Sequence, residues 1–425
     1  MDDPIYYLRT KGGDSGPITW GEMRDWVAKG LFTPTDFVWH CRHGRWEWVA
    51  AEHVAELQGL FRDMAAEEER IDEAQEEAKR IKAEAKAKGK TPTRLLAIGG
   101  GKGGTGKTSV AASIAISLAS LDRSVILVDG DLGGANMHIC LGMTQAEINL
   151  GKFFLDKETE LVDILIPTPV HNLRLISGAG GVLGLANPKY SQKLKFINRM
   201  RKLEADFIVL DLGAGTTYDT LDLFLAADLG IVVTAPDPFS LQNGFNFLKA
   251  STYRMLERNL RKDLEVQELL SGARDEHYRI PLPRLLAMME AQKPEVVKRI
   301  EDALAEFRPG FIANMVMKRS EAREALVVKT ATAELLGVEV DYLGFVYFDP
   351  AVRTALRQMQ PFVVANPRGH AAKCVLDIVV RKVLGTEGLG GFWEKRRLRH
   401  RLRESAHPVK SADAANEAAI YEEPI

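Results

Sequence analysis

Several things are scarce in this 425-residue chain, and each scarcity excludes something. There are three cysteines, Cys41, Cys140 and Cys374, far apart and with no CxxC. That excludes a disulfide framework or an iron–sulfur cluster held within one chain and suits a reducing cytoplasm. No uninterrupted apolar run approaches the roughly 18 residues of a membrane span. The opening MDDPIYYLRT is acidic and lacks the basic-then-apolar pattern of a secretory signal. The chain is therefore expected in the cytoplasm, soluble or peripheral on the inner face of the cell membrane. Net charge is nearly absent too, at −2, so only local runs can select a charged partner. Tryptophan is missing between Trp48 and Trp393; five of the six fall in the first 48 residues, which sets a small aromatic module apart from the rest.

What is present divides the chain. Residues 1–55 read as a small α+β module, with strands at Ile5–Leu8, Phe37–His40 and Trp46–Val49, a turn at Gly12–Gly16 and a short helix at Thr19–Ala28. Residues 56–92 carry a thin stripe, mostly Ala, among many charges: a helical linker, either a solvated spacer or a weak coiled coil. At ~1.5 Å per residue such a helix separates domains by roughly 40 Å. Residues 93–388 alternate apolar runs with helical stretches. The runs are Leu95–Ile98, Val125–Val128, Leu173–Ile176, Phe207–Leu210, Ile231–Thr234, Phe311–Ala313 and Leu343–Tyr347. Runs apolar throughout belong to strands buried on both faces. Their alternation with helices predicts an α/β, doubly wound, mainly parallel sheet with ligands at the carboxyl ends of its strands. A helical insertion is expected at about 240–308, with helices near Leu241–Arg258, Leu260–Ser271 and Pro294–Phe307, either capping the sheet or docking a partner. Residues 389–425 form a basic tail, without core residues after Ser405.

The chemistry starts in "GGGKGGTGKTS". Gly99-x-Gly101-x-x-Gly104 fits a dinucleotide fingerprint, while Gly101-x-x-x-x-Gly106-Lys107-Thr108 fits the phosphate loop of NTPases. The phosphate loop makes the stronger demand. Consecutive backbone N–H groups of Gly101, Lys102, Gly103, Gly104, Thr105, Gly106, Lys107, Thr108 and Ser109 would form an anion nest at a helix start. Lys107 would neutralise the β and γ phosphates and Thr108 would ligate Mg2+. The acids decide between the two. "LVDGD" puts Asp129 and Asp131 at one strand end, and "VLDLGAG" puts Asp211 and Gly215 at another. Mg2+ keeps several waters and needs carboxylates to hold them, so Asp211 is the expected water-mediated metal partner. Gly215 lets its N–H approach the γ phosphate. A hydride-transfer site has no use for this set, so an ATP and Mg2+ site is expected.

"KGGTGKTS", "VDGDLGGAN" and "VLDLGAG" resemble, in order, the deviant phosphate-loop ATPases of the ParA/MinD group, over roughly residues 94–382. That resemblance implies a P-loop NTPase fold and an ATP-sandwich homodimer. It implies that Lys102 reaches the partner subunit's phosphates, that Asp131 orients the attacking water, and that Asp129 lies beside the metal. Asn136 would face the dimer partner. Asn314, past the strand in "FIANMV", and Asp349 and Pro350 in "YFDPAV" would contact adenine. A cation supplied in trans stabilises charge on the transferring phosphate, as an arginine finger does, so Lys102 would couple hydrolysis to dimerisation. The clustered cysteines of the iron–sulfur branches are missing. "VLDLGAGT" and "DPAVRTALRQMQPFV" look most like the MinD and flagellar-number side, whose members regulate position or number at a membrane surface. A DNA-partitioning ATPase and a nucleotide-gated adaptor with little turnover are the alternatives.

Two further segments carry partner expectations. In the tail, 391–405 includes "FWEKRRLRHRLRES", in which Phe392, Trp393, Leu398 and Leu402 form a loose apolar face among arginines. It reads as an anionic-membrane helix, a contact to nucleic acid or an acidic partner, or a solvated helix. The front module resembles the bacterial GYF-like domain, through Tyr6/Tyr7, Gly16-Pro17, Trp39 and Trp46-x-Trp48. That likeness implies docking of protein segments, proline-rich ones among them, on an aromatic surface including Tyr6, Tyr7, Trp39 and Trp46. The other reading makes these aromatics the core of a tiny domain. His40, Cys41 and His43 lack the second ligand pair that a metal site needs.

Overall fold

The structure, a computed structural model, describes residues 5–10, 13–28, 32, 34, 36–42, 45–62, 80, 92–131, 134, 136–143, 148–156, 158–178, 190–260, 263, 265–266, 280–386, 396–398 and 401–402. Most of the expected linker and tail, and most of the predicted helix Leu260–Ser271, lie outside these residues. The chain forms two compact units. One contains Met1–Pro92, Pro188–Lys202 and Leu260–Ile280; the other contains Thr93–Asn187, Leu203–Asn259 and Pro281–Ile425.

In the first unit, β1 (Ile5–Thr10), β2 (Gly13–Thr19), β3 (Phe37–Arg42) and β4 (Arg45–Ala50) form an antiparallel sheet in the order β2-β1-β3-β4. Within the stretch Gly12–Gly16, expected to be a turn, residues 13–16 instead belong to β2, and Gly12 lies outside the described residues. Arg9 pairs with Asp14 in register, and Thr10 with Gly13. Gly16, at φ +147°, lets β2 lie against Tyr7, whose ring carbon would be 2.6 Å from any Cβ there. The helix α1 (Trp20–Ala28) opens on a reciprocal cap. Thr19 N–H donates to Glu22 Oε2 at 2.9 Å and Glu22 N–H donates to Thr19 Oγ1 at 3.3 Å.

Strand alternation sends Leu8, Val38 and Val49 to one face, where they pack with Met23 and Val27 of α1. Leu57 is fully buried in this core, with Leu60 and Phe61 packed on it. The module therefore runs on past the expected boundary at residue 55 into the helical residues 55–62.

The second unit holds an eight-stranded sheet. Its strands are β5 (Arg94–Gly99), β6 (Val125–Asp129), β7 (Ile166–Pro167), β8 (Leu173–Ile176), β9 (Phe207–Asp211), β10 (Leu229–Thr234), β11 (Gly310–Val316) and β12 (Asp341–Tyr347), in the order β12-β11-β10-β5-β9-β6-β8-β7. All pairs are parallel except β7 with β8. Each of the seven expected strands is present, and β6 and β9 are buried at every position. The short antiparallel β7 leaves no mark in the sequence pattern; two residues, one a proline, carry no period. The order reverses direction around β5, so the loop after β5 opens at a topological switch point. In the insertion the predicted helices Leu241–Arg258 and Pro294–Phe307 occur as Pro238–Asn259 and Pro294–Glu306, and Leu282–Met289 is an additional helix.

The tail segment does not offer its leucines to a surface. Leu398 and Leu402 are fully buried in the core of this unit. Arg397 Nη2 donates to Asp122 Oδ2 at 2.8 Å, and Arg401 Nη1 donates to Asp122 Oδ1. Phe392 and Trp393 lie outside the described residues. Among the described residues no helix is long and apolar enough to cross a membrane.

Candidate functional site

The phosphate loop joins β5 to α2 (Lys107–Ala119), whose N-cap is Gly106 in the left-handed region at φ +84°. A Cβ there would collide with Asn314 Nδ2, so this glycine is fixed by both conformation and close approach. Gly101 is equally constrained: its Cβ would collide with the Asn243 carbonyl oxygen. Asn243 lies in α5 (Pro238–Asn259; α4 precedes it at Tyr218–Leu225), and sequence reasoning missed it as a wall of the loop. Helix asparagines carry no signal that separates such a role from a surface one.

Lys107 is buried, and its Nζ donates to the Lys102 carbonyl at 2.9 Å. Burial pulls its ammonium below the usual lysine range, against the charges of Asp211 and Asp131. Asp211, at the end of β9, is 1% exposed and bonded by Thr108, while its Oδ1 is buried with no partner. Burial pushes it up to about 7, with the Asp129 charge adding. A hydroxyl beside an orphaned buried carboxylate oxygen, at a helix start with a lysine, fits Mg2+ held through water and phosphate. Among the described residues no three His, Cys, Asp or Glu side chains form a closed metal cage.

The remaining predicted residues are placed as follows. Asp131 accepts from Gly134 N–H at 3.1 Å and lies against Gly213, where a Cβ would be 3.4 Å from its Oδ1, so it faces the β9 loop. Asp129, expected beside the metal, spends both oxygens on its own loop. It accepts from Asp131 N–H at 3.2 Å and from Met137 N–H, at the start of α3 (Met137–Cys140), at 3.1 Å. Burial raises it to about 6 and these bonds oppose the rise. Gly215 has a left-handed backbone, φ +110°, and its N–H, expected at the γ phosphate, donates to the Gly100 carbonyl at 3.3 Å.

Asn136 is exposed and bonds its own loop at the Gly134 carbonyl, 2.9 Å. Asn314 is buried and turned toward the phosphate loop: its Nδ2 donates to the Thr105 carbonyl at 2.8 Å, which leaves Oδ1 as its acceptor face. Asp349 caps the helix that Pro350 begins, accepting from Ala351 N–H at 3.0 Å. Lys102 is exposed on the outer arm of the loop. Its charge contributes, after the Ser240 hydrogen bonds, to holding Asp237 below the usual carboxylate range.

In the front module the four expected docking residues fall on two faces. Tyr7, Trp39 and Trp46 are on the sheet face away from α1, and Tyr6 packs with Trp20 on the core side at 5.7 Å. The outer face also carries Trp48, 5.3 Å from Trp39, with the Arg9 guanidinium 4.1 Å above its ring.

A doubly wound parallel sheet whose switch-point loop presents Thr108 and a buried Lys107, with Asp131 and Asp211 supplied at the ends of β6 and β9, defines a P-loop NTPase fold. The family model described as ParA, NUBPL iron-transfer P-loop NTPase, matches residues 91–253, and GYF domain 2 matches residues 6–57. The antiactivator FleN of Pseudomonas aeruginosa is 25% identical over 284 residues, 66% of this chain and 83% of the relative. The flagellum site-determining protein YlxH of Helicobacter pylori is 31% identical over 162 residues, 38% of this chain and 54% of the relative. The septum site-determining protein MinD of Pyrococcus horikoshii, complexed with Mg-ADP, is 23% identical in sequence, with a TM-score of 0.47 over 69% of this chain and 98% of that one. Residues 91–253 thus match a ParA-type P-loop NTPase, and a GYF domain, residues 6–57, lies ahead of them.

Proposed function

We propose that this protein binds ATP with Mg2+, hydrolyses it, dimerises in the ATP state, and acts as a spatial or numerical regulator at a membrane surface. The observation that carries the reading is the juxtaposition of two loop lysines, one buried at the site and one exposed beside it, with Asp131 and Asp211. The likeness to FleN, an antiactivator, and to YlxH, a flagellum site-determining protein, supports the regulatory class.

In this mechanism the loop N–H groups and Lys107 hold the phosphates, and releasing Lys107 from the Lys102 carbonyl is part of binding. Thr108 and the free oxygen of Asp211 hold the metal, which when bound supplies charge neutralisation of the phosphates. Asp131 positions water from the side of Gly213. Asn314 presents Oδ1 to the adenine amine while its Nδ2 stays on Thr105, with Asp349 and Pro350 on the adjoining loop. Lys102 acts on the partner subunit's nucleotide, next to Asn136.

The domain reading follows the same lines. The front module docks a protein segment on its outer aromatic face, the ATPase domain runs over 93–388, and the insertion caps or docks. Because Leu398 and Leu402 are core residues here, a membrane contact by 391–405 falls to Phe392 and Trp393 or requires the segment to leave its seat.

Turnover measured alone, with anionic liposomes and with DNA separates the readings. Stimulation by DNA alone would favour a partitioning ATPase, and no turnover under any condition would favour the adaptor. Sedimentation in ATP against ADP tests the dimer; an unchanged monomer in both removes the sandwich.

A further inference from the structure

A buried charge cluster lies beside the nucleotide site. α4 begins three residues after Gly215, capped by Thr217, which accepts from Thr220 N–H. Its Asp222 is 3% exposed and accepts from Arg254 of α5 through Nε at 2.8 Å and Nη2 at 3.0 Å. Arg258 Nη1 adds a third bond at 3.3 Å. The Arg254 guanidinium also lies 4.4 Å over the Tyr218 ring and 3.7 Å from Glu257. Arg258 Nε is buried with no partner, so the cluster is already short of acceptors.

The apolar side of the joint is equally close. Phe224 and Phe247 meet edge to face at 5.0 Å. A Cβ at Gly99 would lie 2.9 Å from Phe247, and one at Gly230 would lie 2.5 Å from Phe224. α4 and α5 are therefore one block seated on β5 and β10. At its far end the same block walls the phosphate loop through Asn243 and Gly101.

Between Asp211 and Thr217 the chain is held differently. Leu212 N–H donates to Ile98 at 2.9 Å, and Gly215 N–H donates to Gly100 at 3.3 Å. The loop 212–216 thus hangs between two fixed ends and rests on the phosphate loop through a long backbone bond. A γ phosphate would compete with the Gly100 carbonyl for the Gly215 N–H.

We propose that Asp222 is a positioning residue: by clamping α4 to α5 through Arg254 and Arg258, it fixes the far end of this loop, so that γ-phosphate recognition is a local turn of residues 212–216. The inference rests on the reading of the site as an ATP site. Without the clamp α4 follows the loop, and binding energy from the γ phosphate is spent on moving a helix. ADP makes no such demand.

The test uses the full-length chain with Asp222→Asn and Arg254→Lys. The second variant keeps the charge balance but loses the planar fork and the stacking on Tyr218, so it carries the test if the first does not fold. Dissociation constants for a non-hydrolysable ATP analogue and for ADP are measured in Mg2+, with hydrogen exchange over 212–225. The expected result is ADP affinity within about twofold of the unaltered protein, analogue affinity at least about fivefold weaker, and faster exchange in 218–225 on adding the analogue only in the variants. Parallel changes for both nucleotides, or an unchanged ratio, in a variant that melts cooperatively overturn the clamp. If the unaltered protein binds neither nucleotide, the ATP reading itself falls, and the clamp with it.

Discussion

The phosphate-loop region and the front module depart in opposite ways from the usual sorting of polar and apolar side chains. In the ATPase domain the polar residues are inside: Lys107, Asp129, Asp211 and Asn314 are all buried; backbone groups hold Lys107, Asp129 and Asn314, and the Thr108 hydroxyl holds Asp211. In the front module several large aromatics are outside: Trp46 is 62% exposed, Tyr7 47% and Phe37 43%, while Phe32 and aliphatic side chains fill the core. Burying charge costs stability unless the group is paired, and exposing aromatic surface forgoes hydrophobic stabilisation. Each region departs from the pattern that stability alone favours, and each departs where a ligand is proposed.

That contrast can be broken at either end, beginning with the largest effect. Lys107→Ala removes the phosphate-facing ammonium from a dry site. Turnover should fall on the order of 10³-fold, with nucleotide affinity lost as well, in a coupled ATPase assay and a fluorescent-nucleotide titration. Leu8→Ala, in the front module's core, should cost about 2–5 kcal/mol of that module's stability in a urea titration and leave ATP turnover intact. Lys102→Ala should retain ATP binding within about twofold but lose dimer-dependent turnover by on the order of 10²-fold; equal loss at all protein concentrations would argue against action in trans.

Asp211→Asn tests the stored cost of the buried carboxylate. Its pKa and that of Asp129 are raised by folding, to about 7 and about 6, so the folded state holds protons the unfolded chain has released. Without Mg2+, stability should therefore be fully present near pH 4 and decline as pH rises to about 7, by roughly 1.4 kcal/mol per pH step for each proton so held. Asp211→Asn should flatten that decline and raise Tm at pH 8 while abolishing the Mg2+ dependence of nucleotide binding. A Tm that rises with pH over this window would contradict the buried-acid picture. Last, Trp46→Ala should change stability by less than about 0.5 kcal/mol and leave turnover untouched, yet weaken binding of a proline-rich peptide followed by calorimetry. Undiminished binding would place any docking elsewhere than the outer face.

The ATPase sheet is legible in the sequence because strands buried on both faces are apolar at every position, as Val125–Val128 and Phe207–Leu210 are. The acids are legible because strand ends are where a doubly wound sheet gathers ligands. Side-chain direction is not. Asn314, expected at adenine, turns its amide nitrogen to Thr105; Asp129, expected at the metal, has both its oxygens taken by backbone N–H groups. β2 is hidden because glycine, aspartate, serine and proline compose both turns and edge strands. Leu398 and Leu402 belong to a loose helical face on the wheel, whereas their seat is a core built by residues far away in sequence, beside Asp122, some 275 residues off, which pairs with Arg397.

The tryptophan pair of the front module has a use beyond recognition. Trp39 and Trp48 lie 5.3 Å apart at 62° on paired strands, close enough for their indole transitions to couple and give a split circular-dichroism band. No tryptophan occurs between Trp48 and Trp393. The front module thus carries its own optical reporter in the intact chain, because neither the phosphate loop nor the eight-stranded sheet contains an indole.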